Sequence, residues 1–344
     1  MSKTISVILY LFVLAGSVFA NAAQPGIWNS GGMGNFSLLF PDDSLSYKKI
    51  QMVNERVSII LYKGYSVVKG EYKMYNDTQD TIKIRTGYPL NSSFKSETAG
   101  NYRADISFDS LYGLNVLVNS VPVNLIAETS EHSSGYLQNS NWYVWNNTFA
   151  PEDTTVITVY FIVNTNDNII RKGYTKDENN GFIYVLETGS TWKQPIVKGE
   201  IRILIEDEMN TEDIKGLKPD SAFRTDEKNN ILQYNFSNIS PTNLDNIIIT
   251  YFEKVNDLNF KAVLNKKDEL YEKSDEFSVK VISSSELTLK KYNSPFDVES
   301  TDWTSLLLIL SIVGIPLLIL ILITVLLIIF IFWLYRRNKK RKGL

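Results

Sequence analysis

The chain of 344 residues contains no cysteine and one histidine, His132. Without cysteine there is no disulfide framework, thiolate nucleophile, cysteine-ligated zinc, iron–sulfur cluster or acylated-cysteine lipid anchor. A single histidine rules out metal centres built from several imidazoles. No Gly-x-Ser-x-Gly elbow is present to give His132 a nucleophile, and Thr129 to Gly135 reads as an exposed polar loop around it. Charge is missing altogether from Leu306 to Tyr335. No ionisable group in that stretch is available to form an intramembrane relay, which argues against a pump or transporter. No cofactor is implied by any motif.

What is present is clearest at the two ends. Residues 1–23 combine Lys3, an apolar run from Ile5 to Phe19 and small residues around Ala20 and Ala22. This is the layout of a secretory signal peptide. The charge-free window from Leu306 to Tyr335, as a helix, would be about 45 Å long, enough to cross a bilayer. A membrane segment is therefore expected over 303–335. Trp303 would be its outer aromatic anchor and Trp333 and Tyr335 its inner ones. Gly314 and Pro316 predict a kink or break. The tail, 336–344, begins with Arg336, Arg337, Lys339, Lys340, Arg341 and Lys342. A cluster like this stays cytoplasmic and can meet anionic lipid. Both ends predict a type I single-pass protein of a bacterial cytoplasmic (inner) membrane, with its middle extracytoplasmic.

Setting aside Lys3 and the six tail cations leaves 28 basic against 38 acidic residues, a net charge near −10. Such a surface repels nucleic acid. Sequons begin at Asn35, Asn76, Asn91, Asn146, Asn235 and Asn238. In an asparagine-rich bacterial chain they are read as chance occurrences.

The middle reads as mostly β, an antiparallel β-sandwich ectodomain in two domains followed by one C-terminal transmembrane α-helix. Arg56–Tyr62, Ser66–Asn76 and Thr81–Thr86 alternate and are separated by turn residues, which predicts a three-stranded meander. Val68, Gly70, Tyr72 and Met74 fall on one face of the second strand. Further strands are expected at Tyr102–Phe108, Leu114–Val118, Trp142–Phe149, Thr154–Val163, Phe182–Glu187, Lys198–Glu206, Ile231–Phe236 and Asn246–Lys254. The polar stretch 164–181 suggests a boundary, giving domains at 24–170 and 171–255. Residues 256–302 are charged and serine-rich. They are expected to form a stalk or a final hairpin, with a short helix within 265–273.

Residues 56–90 and 142–205 also carry motifs: Tyr72-Lys73-Met74-Tyr75-Asn76, Gly87-Tyr88-Pro89, Phe149-Ala150-Pro151-Glu152, and Tyr184 through Thr188-Gly189 to Trp192. In these the chain resembles a group of uncharacterised bacterial envelope proteins with tandem β-sandwich domains. The resemblance implies a fold and brings no catalytic residues with it.

The candidate sites are few. Trp142, Trp145 and Trp192 with Tyr143 form an aromatic set suited to stacking on sugars. The competing reading is core packing, since Trp142 and Val144 share one strand face and Tyr143 and Trp145 the other. The turn 176–181 with Glu187 has partial calcium-loop spacing, but Lys176 stands where a carboxylate is needed, and Asn180-Gly181 reads better as a hairpin turn. Asp42-Asp43 and Glu206-Asp207-Glu208 are acidic pairs of a kind that glycosidases use, and far more often surface clusters. The glycine-rich stretch 26–34 lacks the strand, helix and lysine of a phosphate loop. The expectation is a non-enzymatic binding or assembly component of the bacterial envelope, with an envelope protein as partner. The alternatives are a carbohydrate-binding surface protein and an Asp/Glu hydrolase.

Overall fold

The computed structural model describes residues 26–28, 44–90, 92–97, 103–108, 111–130, 140–172, 175–220, 222–283, 286–296, 307 and 310–341. The signal-peptide stretch, His132, Asp42-Asp43, Trp303 and Lys342 lie outside them. In chain order the strands are β1 (Gly26–Trp28), β2 (Ile50–Tyr62), β3 (Tyr65–Asn76), β4 (Ile82–Pro89), β5 (Ser92–Glu97), β6 (Arg103–Phe108), β7 (Tyr112–Val118), β8 (Val121–Pro122), β9 (Ile126–Ser130) and β10 (Ser140–Phe149). They continue with β11 (Thr154–Asn164), β12 (Ile169–Lys172), β13 (Thr175–Asp177), β14 (Asn179–Tyr184), β15 (Ile196–Ile205), β16 (Ile214–Lys218), β17 (Arg224–Asp226), β18 (Ile231–Ile239), β19 (Ile247–Glu253) and β20 (Thr288–Leu289). The mostly-β expectation holds, with a single long C-terminal helix after the strands among the described residues.

The main layer is a nine-stranded sheet in the order β20-β17-β18-β15-β2-β3-β11-β7-β8. Its inner face packs against two three-stranded sheets, β4-β10-β9 and β14-β19-β16, through one continuous apolar core. A further sheet runs β13-β12-β1-β6-β5. Pairing is antiparallel except at β2–β15 and β1–β6.

Strand β2 shows how the sequence builds this. A bulge between Met52 and Asn54 inserts one residue, so Ile50 and Met52 face the core before it and Glu55, Val57, Ile59 and Leu61 after it. From Val57 to Tyr62 the strand is buried on both faces. That run suits a central strand able to take a parallel neighbour.

Three expectations are corrected. The meander does not form, because β3 pairs with β2 and β11 and never with β4. Asn76 ends β3: its amide donates to the carbonyls of Asp80 (2.8 Å), Ala150 (3.0 Å) and Phe149 (3.2 Å). Clamped to the end of β10, the chain crosses to the other layer, where β4 joins β10.

The division at 170 is not seen either. Strand β15 pairs with β2 from Gly199↔Glu55 to Ile205↔Leu61, so both halves share one sheet. The described residues up to 296 form one compact unit and those from 307 on belong to another. The polar stretch 164–181 is therefore no linker. Asn166 exchanges two hydrogen bonds with the backbone of Val255, and Asn180, in the interior of β14, donates to Glu253 O. Asn180-Gly181 thus lies inside a strand, paired with β19, and not in a hairpin turn.

Residues 256–296 are no stalk. Helices Phe260–Asn265 and Lys267–Val279 cover the outer face of the nine-stranded sheet. Leu270, Tyr271, Ser274, Phe277 and Ser278 are buried at helical spacing, and Leu270, Tyr271 and Phe277 join one apolar cluster with Ile60, Tyr62, Val67 and Ile162. Lys69 to Asp275 (2.7 Å), Tyr160 Oη to Asp275 (2.7 Å) and Tyr271 Oη to Gly113 O (2.6 Å) fix the helix in place.

In the second unit a π-helical turn, Leu310–Gly314, precedes the α-helix Ile315–Arg341. The break predicted from Gly314 and Pro316 is this wider turn. It fits because Pro316 has no N–H to donate to the turn before it.

Candidate functional site

The aromatic set is core. Trp142 and Trp145 are each 2% exposed and Trp192 is fully buried. Trp192 lies 5.0 Å from Tyr47 and 6.4 Å from Phe149, ring centre to ring centre. Trp145 donates its indole N–H to Asn147, which in turn bonds Thr86, all three buried. Only Tyr143 is part-exposed. Trp142 and Val144 are buried on one face of β10 and Trp145 and Asn147 on the other, where Asn141 is exposed and Tyr143 part-exposed, so the alternation at 142–145 does not set Trp145 outside the core. The stacking platform on the tryptophans is thereby corrected.

The same core holds a carboxyl. Glu55 is fully buried and its neighbours in register are Tyr72 and Gly199. Tyr184, on β14 opposite, donates its hydroxyl to Glu55 Oε1 at 2.7 Å, and the Tyr72 and Tyr184 hydroxyls are 3.1 Å apart. Tyr72 reaches this point by lying along its own strand over Gly70, where a methyl group would overlap the Tyr72 hydroxyl. Loss of hydration pushes the Glu55 carboxyl up to about 8, against the smaller opposing pull of the Tyr184 hydrogen bond. Burial and the nearby Glu55 charge push the Tyr72 and Tyr184 hydroxyls above the ordinary phenol range. A raised carboxyl is what general acid catalysis requires. Glu55 is enclosed, however, and a substrate cannot reach it without parting the two layers.

A concavity opens instead where the chain leaves β11 and β19. It is a cleft of about 350 Å³ lined by Asn164, Asn166, Asp167, Lys254, Asp257 and Phe260 among others, within the range of small-molecule sites. The turn behind it is rigid. Gly64 O accepts from Thr165 N and Asn166 N. Thr165 Oγ1 and Tyr251 Oη are 2.7 Å apart, and Tyr251 donates to Tyr62 O at 3.0 Å. Asp167, Lys254 and Asp257 are exposed at the rim. The lining can offer carboxylate and amide oxygens, an ammonium group and one aromatic ring to a small polar ligand.

Two of the acidic candidates have local partners. Asp207 accepts from Lys63 N (3.0 Å) and Glu206 pairs with Lys273 (3.0 Å). Among the described residues no three His, Asp or Glu side chains converge as a metal site would need. Asn76, the first residue of a sequon, is buried and occupied by its clamp, whereas Asn146, Asn235 and Asn238 are exposed.

In the second unit Leu310–Lys339 is long and apolar enough to cross a membrane, and its apolar side chains are exposed all round. Thr324 returns its hydroxyl to Leu320 O at 2.7 Å, which satisfies it within the helix. Trp333 and Tyr335 stand near the cationic end, ahead of Arg336 and Arg337.

The family described as Stevor, Subtelomeric Variable Open Reading frame, matches residues 242–342. That stretch takes in β19, the two covering helices and the apolar helix, and leaves out most of the nine-stranded sheet. Among curated proteins none matches the chain in sequence. Similar solved structures include a candidate nutrient-binding protein of Legionella pneumophila, 15% identical, covering 67% of this chain and 72% of that one, with a TM-score of 0.45. An M1 zinc metallopeptidase of Deinococcus radiodurans is 9% identical, covering 59% of this chain and 42% of that one, with a TM-score of 0.29. Yeast LTA4 hydrolase is 11% identical, covering 66% of this chain and 34% of that one, with a TM-score of 0.31. The chain thus spans less than half of either enzyme. Likenesses this distant bear on neither ligand nor reaction.

Proposed function

We propose that this chain is a single-pass protein of a bacterial cytoplasmic membrane. It holds its β-rich unit outside the cytoplasm and works by binding, as an interaction or assembly component of the envelope. The observation that carries the reading is the helix Leu310–Lys339. It is apolar on every side, free of charge until Arg336, and then abruptly cationic. A helix apolar all round needs a lipid or protein environment, and cations at one end hold that end in the cytoplasm. The signal-peptide pattern of residues 1–23 agrees with this orientation. Binding is favoured over catalysis because the strongly shifted carboxyl, Glu55, is sealed in the core, while the accessible cleft beside Asp167 and Asp257 has the polar lining of a recognition site.

The test is crosslinking in intact native membranes followed by recovery through the β-rich unit, alongside protease protection. A protein partner retained when residues 304–344 are exchanged for an unrelated anchor supports the assembly reading. Protection of the β-rich unit from a protease added on the extracytoplasmic side would overturn the orientation. Failure to recover any partner would overturn the assembly role.

A further inference from the structure

We propose that the cationic end of the apolar helix binds anionic phospholipid headgroups in the leaflet it emerges from. The inference rests on the membrane-anchor reading above. The helix does not stop where its apolar run stops. It continues unbroken from Ile315 to Arg341, so Arg336, Arg337, Lys339, Lys340 and Arg341 sit within about 8 Å along the axis. By helical register Arg336, Lys340, Arg337 and Arg341 fall on one arc of about 140°, with Lys339 about 60° beyond its edge.

The direction of the side chains matters more than their number. In an α-helix each Cα–Cβ bond tilts toward the N-terminus. At the C-terminal flank of a span, that direction is back toward the bilayer. The first two arginines follow it. The Arg336 guanidinium is 5.4 Å from the ring centre of Phe332, and that of Arg337 is 5.1 Å from Trp333. Trp333 in turn stacks with Phe330 at 6.1 Å. Aromatic rings at a span's end sit at headgroup level, so rings and guanidiniums share that depth. A cation over a ring is held by the ring's negative face and takes no oxygen acceptor. Guanidinium N–H donors can fork onto phosphate oxygens. Lys339 is exposed and adds a point charge. A phosphatidylcholine headgroup carries its own cation. A fixed cluster of cations therefore favours lipids whose headgroup is net negative.

The test reconstitutes the full chain in phosphatidylcholine vesicles with a trace of spin-labelled phosphatidylglycerol or spin-labelled phosphatidylcholine. Electron spin resonance then gives the immobilised fraction of each. The expected result is a preference for phosphatidylglycerol of about three-fold or more, reduced by salt. It should disappear when Arg336, Arg337, Lys339, Lys340, Arg341 and Lys342 are all replaced by glutamine. Equal retention of the two lipids would overturn the inference and leave the cluster to an acidic soluble partner. A preference that survives neutralisation would overturn it too. Alkaline carbonate extraction of the same vesicles separates the two failures. A chain stripped off by alkali overturns the anchor reading and this inference with it. A chain that stays embedded without lipid preference overturns this inference alone.

Discussion

Glu55 and Glu200 lie on adjacent strands, one residue apart in register, and face opposite ways. Glu55 pairs in register with Gly199 and Glu200 with Arg56. On the inner face, Glu55 has a tyrosine hydroxyl for a partner and, among the described residues, no counter-ion. On the outer face, Glu200 meets Arg202 at 2.8 Å, Arg56 at 3.6 Å and the side-chain amide of Gln233. The pleat alone decides which carboxylate is hydrated and paired. One sheet thus carries a neutral polar knot inside and an ion-pair ladder outside. The two should answer differently to pH, to shape and to salt.

The largest expected effect is on pH. The folded Glu55 carboxyl keeps its proton up to about pH 8, whereas the unfolded one releases it near its ordinary value of 4.5. Between those values the folded chain binds more protons, so stability falls as pH rises and levels off above about 8. The slope approaches about 1.4 kcal/mol per pH unit, and the whole window amounts to roughly 3–6 kcal/mol. Urea unfolding of the full chain in neutral detergent, followed through its buried tryptophans, measures it. Glu55→Gln should match the wild type near pH 5 and exceed it at pH 8. Parallel curves for the two proteins would place the pH dependence elsewhere.

Two smaller changes probe the shape of the same knot. Tyr184→Phe removes the hydroxyl that donates to Glu55 Oε1 and should cost about 1–3 kcal/mol. Because that bond stabilises the ionised form, its loss should also move the upper end of the pH window higher. Gly70→Ala should cost about 1–3 kcal/mol by pushing Tyr72 off its position. In the Tyr72→Phe background, where no hydroxyl remains to collide, the cost should shrink. An equal cost in both backgrounds would mean that Gly70 serves the strand and not the tyrosine.

Much of the strand framework was legible because period-2 alternation records which face is buried. The strands over 66–76, 154–163 and 246–254 appear within one or two residues of their expected ends. Glu55 was within reach of the same signal. It continues the inward set Val57, Ile59 and Leu61, but the unbroken alternation begins only at Arg56, while the strand itself begins at Ile50. The bulge before Asn54, which no local residue pattern announces, hid the earlier part. Partner choice was illegible for a different reason. Nothing within residues 65–89 tells β3 to take β11 as its neighbour, since Asn76 acts through carbonyls at 149 and 150. The helix Lys267–Val279 hid its buried positions among lysines and glutamates. The asparagines of 164–180 looked like linker and serve as backbone clamps. The tryptophans are visible as a group in the sequence, but their exposure is not, because Trp142 and Trp145 point to opposite faces of β10 and both are buried.

The smallest effect belongs to the outer face. Glu200→Gln removes the charge that Arg56 and Arg202 share and keeps the size of the side chain. Arg56 is well exposed and can rehydrate, while Arg202 also donates to Lys280 O at 2.7 Å and keeps that bond. Glu200 and Arg202 are only partly exposed, so the loss should be about 1–2 kcal/mol. Raised salt should shrink it further, because the attraction it removes is screened. The Glu55→Gln difference at pH 8 should persist at the same salt, since its origin is desolvation and not pairing. Urea unfolding of both variants at low and high ionic strength makes the comparison directly. If the Glu200→Gln loss is the larger one, or if salt erases the Glu55→Gln difference, the contrast between the two faces fails.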